Sequence, residues 1–328
     1  MITNLERAGA AGIDSPQIWS LSDGRAGNAR QADALADALG GAVRTLSLAP
    51  RAPWRWFAPR ALPAAGHAFG AGFADALAAP PALAIGCGRQ AALATRLLRA
   101  RGAAAVQILD PRIDPTHWDL VVAPEHDGLA GDNVVTLLGS LNPVDDAWLQ
   151  RARDAFAAFA DLPSPRIALL VGGPTAQAPY DGAGFDALCA RIEAMRTQAG
   201  GSVLATTSRR TPPGIVDALR RHFARTPGLA WCGPDDGPNP YPGLLAWADR
   251  IVCTPDSVNM VSEACATRAP VHVFNLERAR ARPRRFLDAL LARGRIGGMD
   301  DEPAAITPLR ETARVAEAVR VKLGVFRD

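Results

Sequence analysis

The chain has 328 residues, 48% hydrophobic and 21% charged, with 36 basic against 33 acidic side chains and a net charge of +3. At roughly 100–200 residues per domain this length favours two domains, each able to bury its own core, and it excludes a disordered tail protein. The arginines are scattered among acids and Lys322 is the only lysine, so overall composition carries no electrostatic footprint for nucleic acid or anionic lipid.

Cys87, Cys189, Cys232, Cys253 and Cys265 are odd in number and widely spaced, without a C-x-x-C pair. This argues against a disulfide scaffold and a zinc site, and for small buried hydrophobes in a reducing compartment. No apolar run approaches the ~20 residues of a membrane span. The N-terminal stretch, with Glu6 and Asp14, lacks a basic-then-apolar signal pattern, so the expected location is cytoplasmic.

Short apolar or β-branched runs alternate with longer Ala/Leu/Arg stretches of helical period, the pattern of βαβ units around parallel sheets. In the first half, strands are predicted at Gln17–Leu21, Ala42–Leu48, Leu83–Ile85, Ala105–Leu109, Leu120–Ala123 and Val134–Leu137. Helices are predicted at Asn28–Leu39, stopped by Gly40-Gly41, and at Gln90–Arg101. A helical pattern from near Asp145 is interrupted by Pro163 and Pro165, which places a domain boundary at 162/163.

In the second half, strands are predicted at Arg166–Val171, Ser202–Thr206, Leu229–Trp231, Arg250–Cys253 and Val271–Phe274. The helices are Gly184–Ala199, Gly214–Ala224, Gly243–Ala248, Ser257–Thr267 and Arg285–Ala292. A last helix, about Glu311–Leu323, follows the Pro/Asp-rich stretch Asp300–Pro308 and is a candidate to cross back to the first domain. The expected fold class is α/β, with two Rossmann-like domains: 1–162, joined by 311–328, and 163–310.

In open α/β sheets ligands bind at the carboxyl ends of the strands, and here those loops are loaded with polar residues. Ser22-Asp23-Gly24-Arg25-Ala26-Gly27-Asn28 precedes a helix and suits an anion. It equally suits a tight turn capped by Asn28. Gly86-Cys-Gly-Arg89-Gln90 repeats the design, with close strand-to-helix packing as its alternative. His126, in Pro124-Glu-His-Asp127 after a strand, is a candidate general base or a hydrogen-bonded structural histidine.

In the second half, Gly172-Gly173 follows the first strand. Thr206-Thr207-Ser208-Arg209-Arg210-Thr211 follows the second, and its hydroxyls beside two guanidiniums suit phosphate oxygens. In Thr254–Ala264, Asp256 or Ser257 is expected to cap a helix. Glu263, a turn after Asn259, is either a ribose acceptor or a surface glutamate. No D-x-D pair, H-E-x-x-H or G-x-S-x-G is present, which disfavours metal-dependent chemistry.

Six motifs in order then carry a resemblance: S-D-G-x-A-G-N at Ser22–Asn28, G-C-G-R-Q at Gly86–Gln90, P-E-H-D at Pro124–Asp127, T-T-S-R-R-T-P at Thr206–Pro212, N-P-Y at Asn239–Tyr241 and T-P-D-S-V-N-M-V-S-E-A at Thr254–Ala264. Over roughly residues 17–295 the chain resembles the family named after a plant mitochondrial-fission (elongated-mitochondria) factor, which has many bacterial members. The resemblance implies a GT-B type glycosyltransferase fold, two Rossmann-like domains facing a cleft, with a nucleotide-sugar donor as substrate and no separate cofactor.

It further implies that Gly172, Gly173, Thr206, Thr207, Ser208, Arg209 and Arg210 face the donor diphosphate, with Asp256 and Ser257 near the sugar or phosphates and Glu263 on the ribose. The loop of Asp23 to Asn28 and His126 would meet an unknown acceptor, with Gly24, Arg25, Gly27, Asn28, Arg89 and Gln90 forming an acceptor or phosphate loop and His126 and Asp23 as catalytic residues. No metal is implied. Thr267-Arg-Ala-Pro270 departs from the pattern, because a glycine is expected to close the helix before the proline.

The expected activity is metal-independent glycosyl transfer. The alternatives are a catalytically silent scaffold that binds a nucleotide or a protein partner, and a nucleotide-sugar epimerase. Trp54 and Trp56, among Arg51, Arg55 and Arg60, offer a peripheral contact to a membrane or a lipid-linked acceptor, or simply anchor a loop.

Overall fold

A computed structural model of the chain describes residues 16–301 and 306–324, together with the backbone of 2–6. Asp14, the side chain of Glu6, residues 302–305 of the Pro/Asp-rich stretch and the last residues of the C-terminal segment lie outside that description. The chain divides into two compact units: Met1–Pro143 with Glu311–Asp328, and Val144–Arg310.

The first unit runs β1 (Ile2–Glu6), β2 (Gln17–Ser22), α1 (Ala26–Leu39), β3 (Ala42–Leu48), α2 (Trp54–Phe57), α3 (Ala71–Ala78), β4 (Leu83–Cys87), α4 (Arg89–Arg99), β5 (Ala104–Ile108), β6 (Leu120–Pro124) and β7 (Val134–Leu137). The strands form one sheet in the order β1-β3-β2-β4-β5-β6-β7, parallel throughout except for β1, which pairs antiparallel with β3. β4 is buried along its whole length, as a central parallel strand covered on both faces must be.

α1 buries Ala32, Leu35, Ala36 and Leu39, one stripe at helical spacing. That stripe shares a core with Ile18, Ile85, Val106, Val122 and residues Val315, Ala316 and Val319 of the last helix. On the other face, Trp19, Leu46, Phe69, Phe73 and Leu93 make a second core.

The second unit runs α5 (Asp146–Ala155), β8 (Arg166–Val171), α6 (Gly182–Ala199), β9 (Ser202–Thr207), α7 (Pro213–Phe223), β10 (Gly228–Trp231), α8 (Tyr241–Trp247), β11 (Arg250–Cys253), α9 (Val258–Cys265), β12 (Val271–Val273) and α10 (Ala281–Ala292). Its sheet is all parallel, in the order β10-β9-β8-β11-β12. Ile167, Leu169, Val171, Val203, Ala205 and Val252 pack under Phe185, Leu188, Ile192 and Leu219 of the helices. α11 (Thr312–Leu323) then belongs to the first unit. Glu311 accepts the Leu138 and Gly139 N–H groups at 2.8 and 3.2 Å, and Thr312 Oγ1 donates to the Asn142 carbonyl at 2.7 Å.

The division falls at 143/144 rather than at the 162/163 read from Pro163 and Pro165. Those prolines lead into β8, where the Pro163 carbonyl accepts the Ser202 hydroxyl at 2.7 Å. α5 lies on the second unit: Arg153 Nε donates to the Ala246 carbonyl at 3.0 Å, and a Cβ on Gly243 would meet Phe156 Cγ at 2.6 Å. A proline pair marks a turn, but which unit a preceding helix packs against is a matter of its apolar face.

Among the described residues no helix is long and apolar enough to cross a membrane. Cys87, Cys189, Cys253 and Cys265 are buried. Burial pushes the Cys189 and Cys265 thiols up to about 12, which keeps them protonated and inert.

Candidate functional site

Each sheet has a point where the strand order reverses, and ligands of open α/β sheets bind in the crevice outside the strand ends there. In the second unit the chain starts at β8, moves out through β9 to β10, then returns to the other side of β8 with β11. The reversal lies between β8 and β11, and the loops after β9, β8 and β11 are neighbours. These carry Thr207–Thr211, Gly172-Gly173 and Thr254–Ser257.

Hydrogen bonds weld the three loops together. Thr254 Oγ1 accepts the Gly172 N–H at 2.8 Å and donates to Asp256 Oδ1 at 2.7 Å. Asp256 Oδ2 accepts the Gly173 N–H at 2.9 Å and an Arg210 guanidinium N–H at 3.3 Å. Thr211 Oγ1 donates to the Gly172 carbonyl at 2.7 Å while accepting the Ser208 N–H at 2.9 Å. Tyr180 donates to the Gly172 carbonyl at 2.8 Å. The Asp256 side chain is wholly buried, and that burial raises its carboxyl above the usual aspartate range against the pull of Thr254, Gly173 and Arg210.

Gly172 is required by this approach. A Cβ there would sit 2.1 Å from Asp256 Oδ2, and a Cβ on Gly173 would sit 2.3 Å from the Arg210 carbonyl oxygen. Asp256 therefore braces the loops, and the helix cap falls to Ser257, whose Oγ accepts the Met260 N–H at 3.4 Å.

Thr206 and Thr207 are buried, Thr207 Oγ1 donating to the Cys232 carbonyl at 3.2 Å, while Ser208 Oγ accepts the Arg210 N–H at 3.2 Å. Arg209 and Arg210 are exposed. The loop after β9 thus exposes two guanidiniums, of which Arg210 reaches Asp256 just ahead of the N-terminus of α9, a setting that favours an anion.

Glu263 follows on α9 and is only 2% exposed, alone among the described acidic residues in being buried as a whole residue. The Tyr241 hydroxyl donates to its Oε2. Burying a carboxylate is costly without such partners, and buried carboxylates at sheet edges are functional candidates. Tyr241, the last residue of N-P-Y, and Glu263 lie 22 residues apart, and no periodicity in the sequence connects them.

The departure at Thr267–Pro270 has a local explanation. Without a glycine, the end of α9 is closed by the buried Arg295, whose Nε donates to the Cys265 carbonyl at 2.8 Å. Its Nη2 serves Ala264, Thr267 and Ala269 at 3.1, 2.9 and 3.3 Å. A guanidinium at a helix C-terminus satisfies the last carbonyls and complements the dipole. Arg295 was missed from sequence because its partners lie 26–31 residues away.

In the first unit the reversal lies between β2 and β4. Asp23 Oδ1 accepts the Arg25 N–H at 3.2 Å and the Asn28 amide at 3.0 Å, and Arg25 lies 3.5 Å from Asp23 Oδ2. Asn28 is therefore not the cap of α1; Arg25 occupies that position without a side-chain cap. Gly88, at φ +86°, leaves room for Asn28 Nδ2, which a Cβ would meet at 2.6 Å. Gly24, at φ +76°, sits over Ser47, and the Gly27 carbonyl accepts Gln31 Nε2 at 3.4 Å. Arg89 is exposed and Gln90 half-buried at the start of α4.

His126 lies elsewhere, in a short turn after β6. β4 and β5 separate β6 from β2, so three strand spacings, about 14 Å, part its loop from that of Asp23. Beside His126, Arg112 pairs with Asp110 at 3.1 Å and lies 3.9 Å from Asp127. Leu109 and Arg112 both take positive φ, a strained backbone of the kind found at functional loops.

Among the described residues no group of three or more His, Cys, Asp or Glu is arranged to hold a metal ion.

The model of the family described as Mitochondrial fission ELM1 matches residues 26–323. The mitochondrial fission protein ELM1 of Arabidopsis thaliana is 30% identical over 74% of this chain, and the chain spans 64% of that relative's length. An uncharacterised Rickettsia prowazekii protein, RP120, is 23% identical over 95% of this chain and 99% of its own. Among solved structures, the Methanocaldococcus jannaschii UDP-GlcNAc 2-epimerase in complex with UDP-GlcNAc and UDP superposes with a TM-score of 0.54 at 13% identity, covering 94% of this chain and 99% of its own. That likeness is one of fold: α/β with two Rossmann-like units, the GT-B type.

Proposed function

This chain belongs to the mitochondrial fission ELM1 family, and we propose that it binds a nucleotide-diphosphate-sugar in its second unit and transfers the sugar without a metal ion. The observation that carries the reading is the welding of three loops at the reversal between β8 and β11, beside a helix that holds the buried Glu263. Arg209, Arg210 and the N-terminus of α9 would neutralise the diphosphate, each charge-assisted hydrogen bond being worth about 1.5–3 kcal/mol. Glu263 would accept both ribose hydroxyls, its carboxylate held ready by Tyr241.

In the transfer, the acceptor oxygen bonds the anomeric carbon and its proton passes to a base, for which His126 is our candidate. The bond to the diphosphate breaks, and its electron pair leaves with the phosphate oxygen, where the guanidiniums stabilise the charge.

Thermal unfolding with UDP, GDP, ADP and their sugars tests the binding. A nucleotide at a hundred times its Kd should stabilise the second unit by about 2.7 kcal/mol. Glu263→Gln, which keeps the volume, should weaken that nucleotide about 10–100-fold through loss of one or two charged hydrogen bonds. A His126→Ala variant that keeps full transfer activity would remove that residue as the base.

A second reading, a scaffold for a nucleotide or protein partner, is favoured by one observation: Asp256 already engages the Gly173 N–H and Arg210, donors the diphosphate would otherwise take. Nucleotide binding without turnover, or no nucleotide binding, supports that reading over the transferase.

A further inference from the structure

The segment after β3 is built unlike the rest of the first unit's surface. Trp54 turns inward onto the core of Phe69 and Phe73 while its Nε1 donates to the Pro63 carbonyl at 3.1 Å. The neighbouring Ala58 is buried. This anchoring holds the next two side chains outward: Trp56 is 63% and Phe57 48% exposed, and only Val321 joins them among exposed large hydrophobics of the described residues.

Along the segment that carries the aromatic pair the charge is of one sign. Arg51, Arg55 and Arg60 are exposed, and residues 51–74 contain no acid, Asp75 being the first. Two arginines of α4 are tied to the same segment, Arg89 donating to the Arg55 carbonyl at 3.5 Å and Arg96 to the Pro59 carbonyl at 3.4 Å. The net charge of +3 over the chain makes this local excess specific rather than a general basicity.

An exposed tryptophan and phenylalanine ringed by arginines match a membrane interface. In such an interface aromatic rings sit at headgroup depth and guanidiniums meet anionic headgroups. Exposed rings mark an interaction surface, and the arginines beside them select an anionic lipid surface as its occupant by charge complementarity.

We propose that the α2 segment, Arg51–Arg60 with Arg89, docks the first unit peripherally onto an anionic lipid surface. The segment leaves the carboxyl edge of the sheet after β3, and Arg89 opens α4 next to Gly88 at the reversal between β2 and β4. A lipid surface held there would bring headgroups to the loops Asp23–Asn28 and Gly86–Gln90. The docking does not depend on nucleotide binding in the second unit.

Sedimentation of the full chain with phosphatidylcholine vesicles, with and without phosphatidylglycerol, tests this. The protein should pellet with the anionic vesicles and be released by salt. A Trp56→Ser/Phe57→Ser double variant should lose binding at least 10-fold. Each of Arg55→Glu and Arg60→Glu should weaken it about fivefold or more, the factor expected per basic residue near such a surface. Because these side chains are exposed, the variants should keep the parent's melting temperature. Failure to bind anionic vesicles overturns the proposal, as does unchanged binding by the aromatic double variant or equal binding to pure phosphatidylcholine. A self-association that the aromatic variant abolishes, with no vesicle binding, would assign the patch to a second copy instead.

Discussion

Placing an alanine at position 172 tests whether Asp256 is a brace for the loops. The added Cβ would lie 2.1 and 2.3 Å from the two Asp256 carboxylate oxygens and 2.5 Å from Cγ, against the 3 Å or more that such atoms need. The carboxylate must move by about 1 Å, and it has nowhere dry to go because its side chain is fully buried. The displacement breaks the bonds from the Gly173 N–H at 2.9 Å and the Thr254 hydroxyl at 2.7 Å.

At about 1.5–3 kcal/mol for each hydrogen bond to a buried charge, the loss is about 3–6 kcal/mol. The half-exposed Arg210 pair adds at most about 1 kcal/mol, since water screens it. For a unit of this size each kcal/mol lowers the melting temperature by about 2–4 °C. The decisive assay is a double-mutant cycle of Gly172→Ala and Asp256→Ala, followed by urea unfolding with hydrogen exchange to assign the loss to the second unit. With the carboxylate gone, the three closest atoms facing the new Cβ are gone as well. Gly172→Ala should then cost at least about 2 kcal/mol less than in the parent. Additive costs would refute the bracing role and return Asp256 to a ligand-facing one.

Two further outcomes follow from the same loops and from the helix that leaves them. Arg295→Met keeps the aliphatic stem but strips four carbonyls at the end of α9 of their donor, and should destabilise the second unit by about 3–5 kcal/mol; an unchanged urea midpoint would refute the closure of that helix by Arg295. Burial raises the Asp256 carboxyl in the fold, so its contribution is full below the ordinary value near 3.9 and is lost as pH rises through the native one. The stability of the parent minus that of Asp256→Asn should therefore fall with rising pH across that window, measured by urea midpoints; a rise would mean that ionisation is favoured there.

Much of the fold was legible because it rests on local pattern. The stripe Ala32, Leu35, Ala36 and Leu39 predicts a helix at one face and the structure buries that face. The run Arg166–Val171 predicts a covered parallel strand and becomes β8. Strand ends were trimmed or extended by a residue or two, as at Leu83–Cys87, because pairing with neighbours sets where a ladder stops. α3 escaped notice because Ala71–Ala78 is a short alanine-rich run with little polar contrast to give it a period.

The candidate site was legible as a set of loops but not as a set of roles. Gly172, Gly173, Arg210 and Asp256 were all named from sequence, and the strand order brings them together. That Asp256 braces while Ser257 caps could not be read from T-P-D-S, because either residue suits either task until its neighbours are known. Asp23 and His126 are both catalytic candidates by residue type, and only the strand order shows that β4 and β5 stand between their loops.

The sequence by itself determined the alternation of strands and helices, the polar loading of the strand ends and the family, since these depend on residue type and near spacing. Only the tertiary structure decided where one unit ends, which carboxylate is buried and with whom, and what closes α9. Those properties depend on contacts such as Tyr241 with Glu263 and Arg295 with Cys265, between residues far apart in sequence that a local pattern has no means to encode.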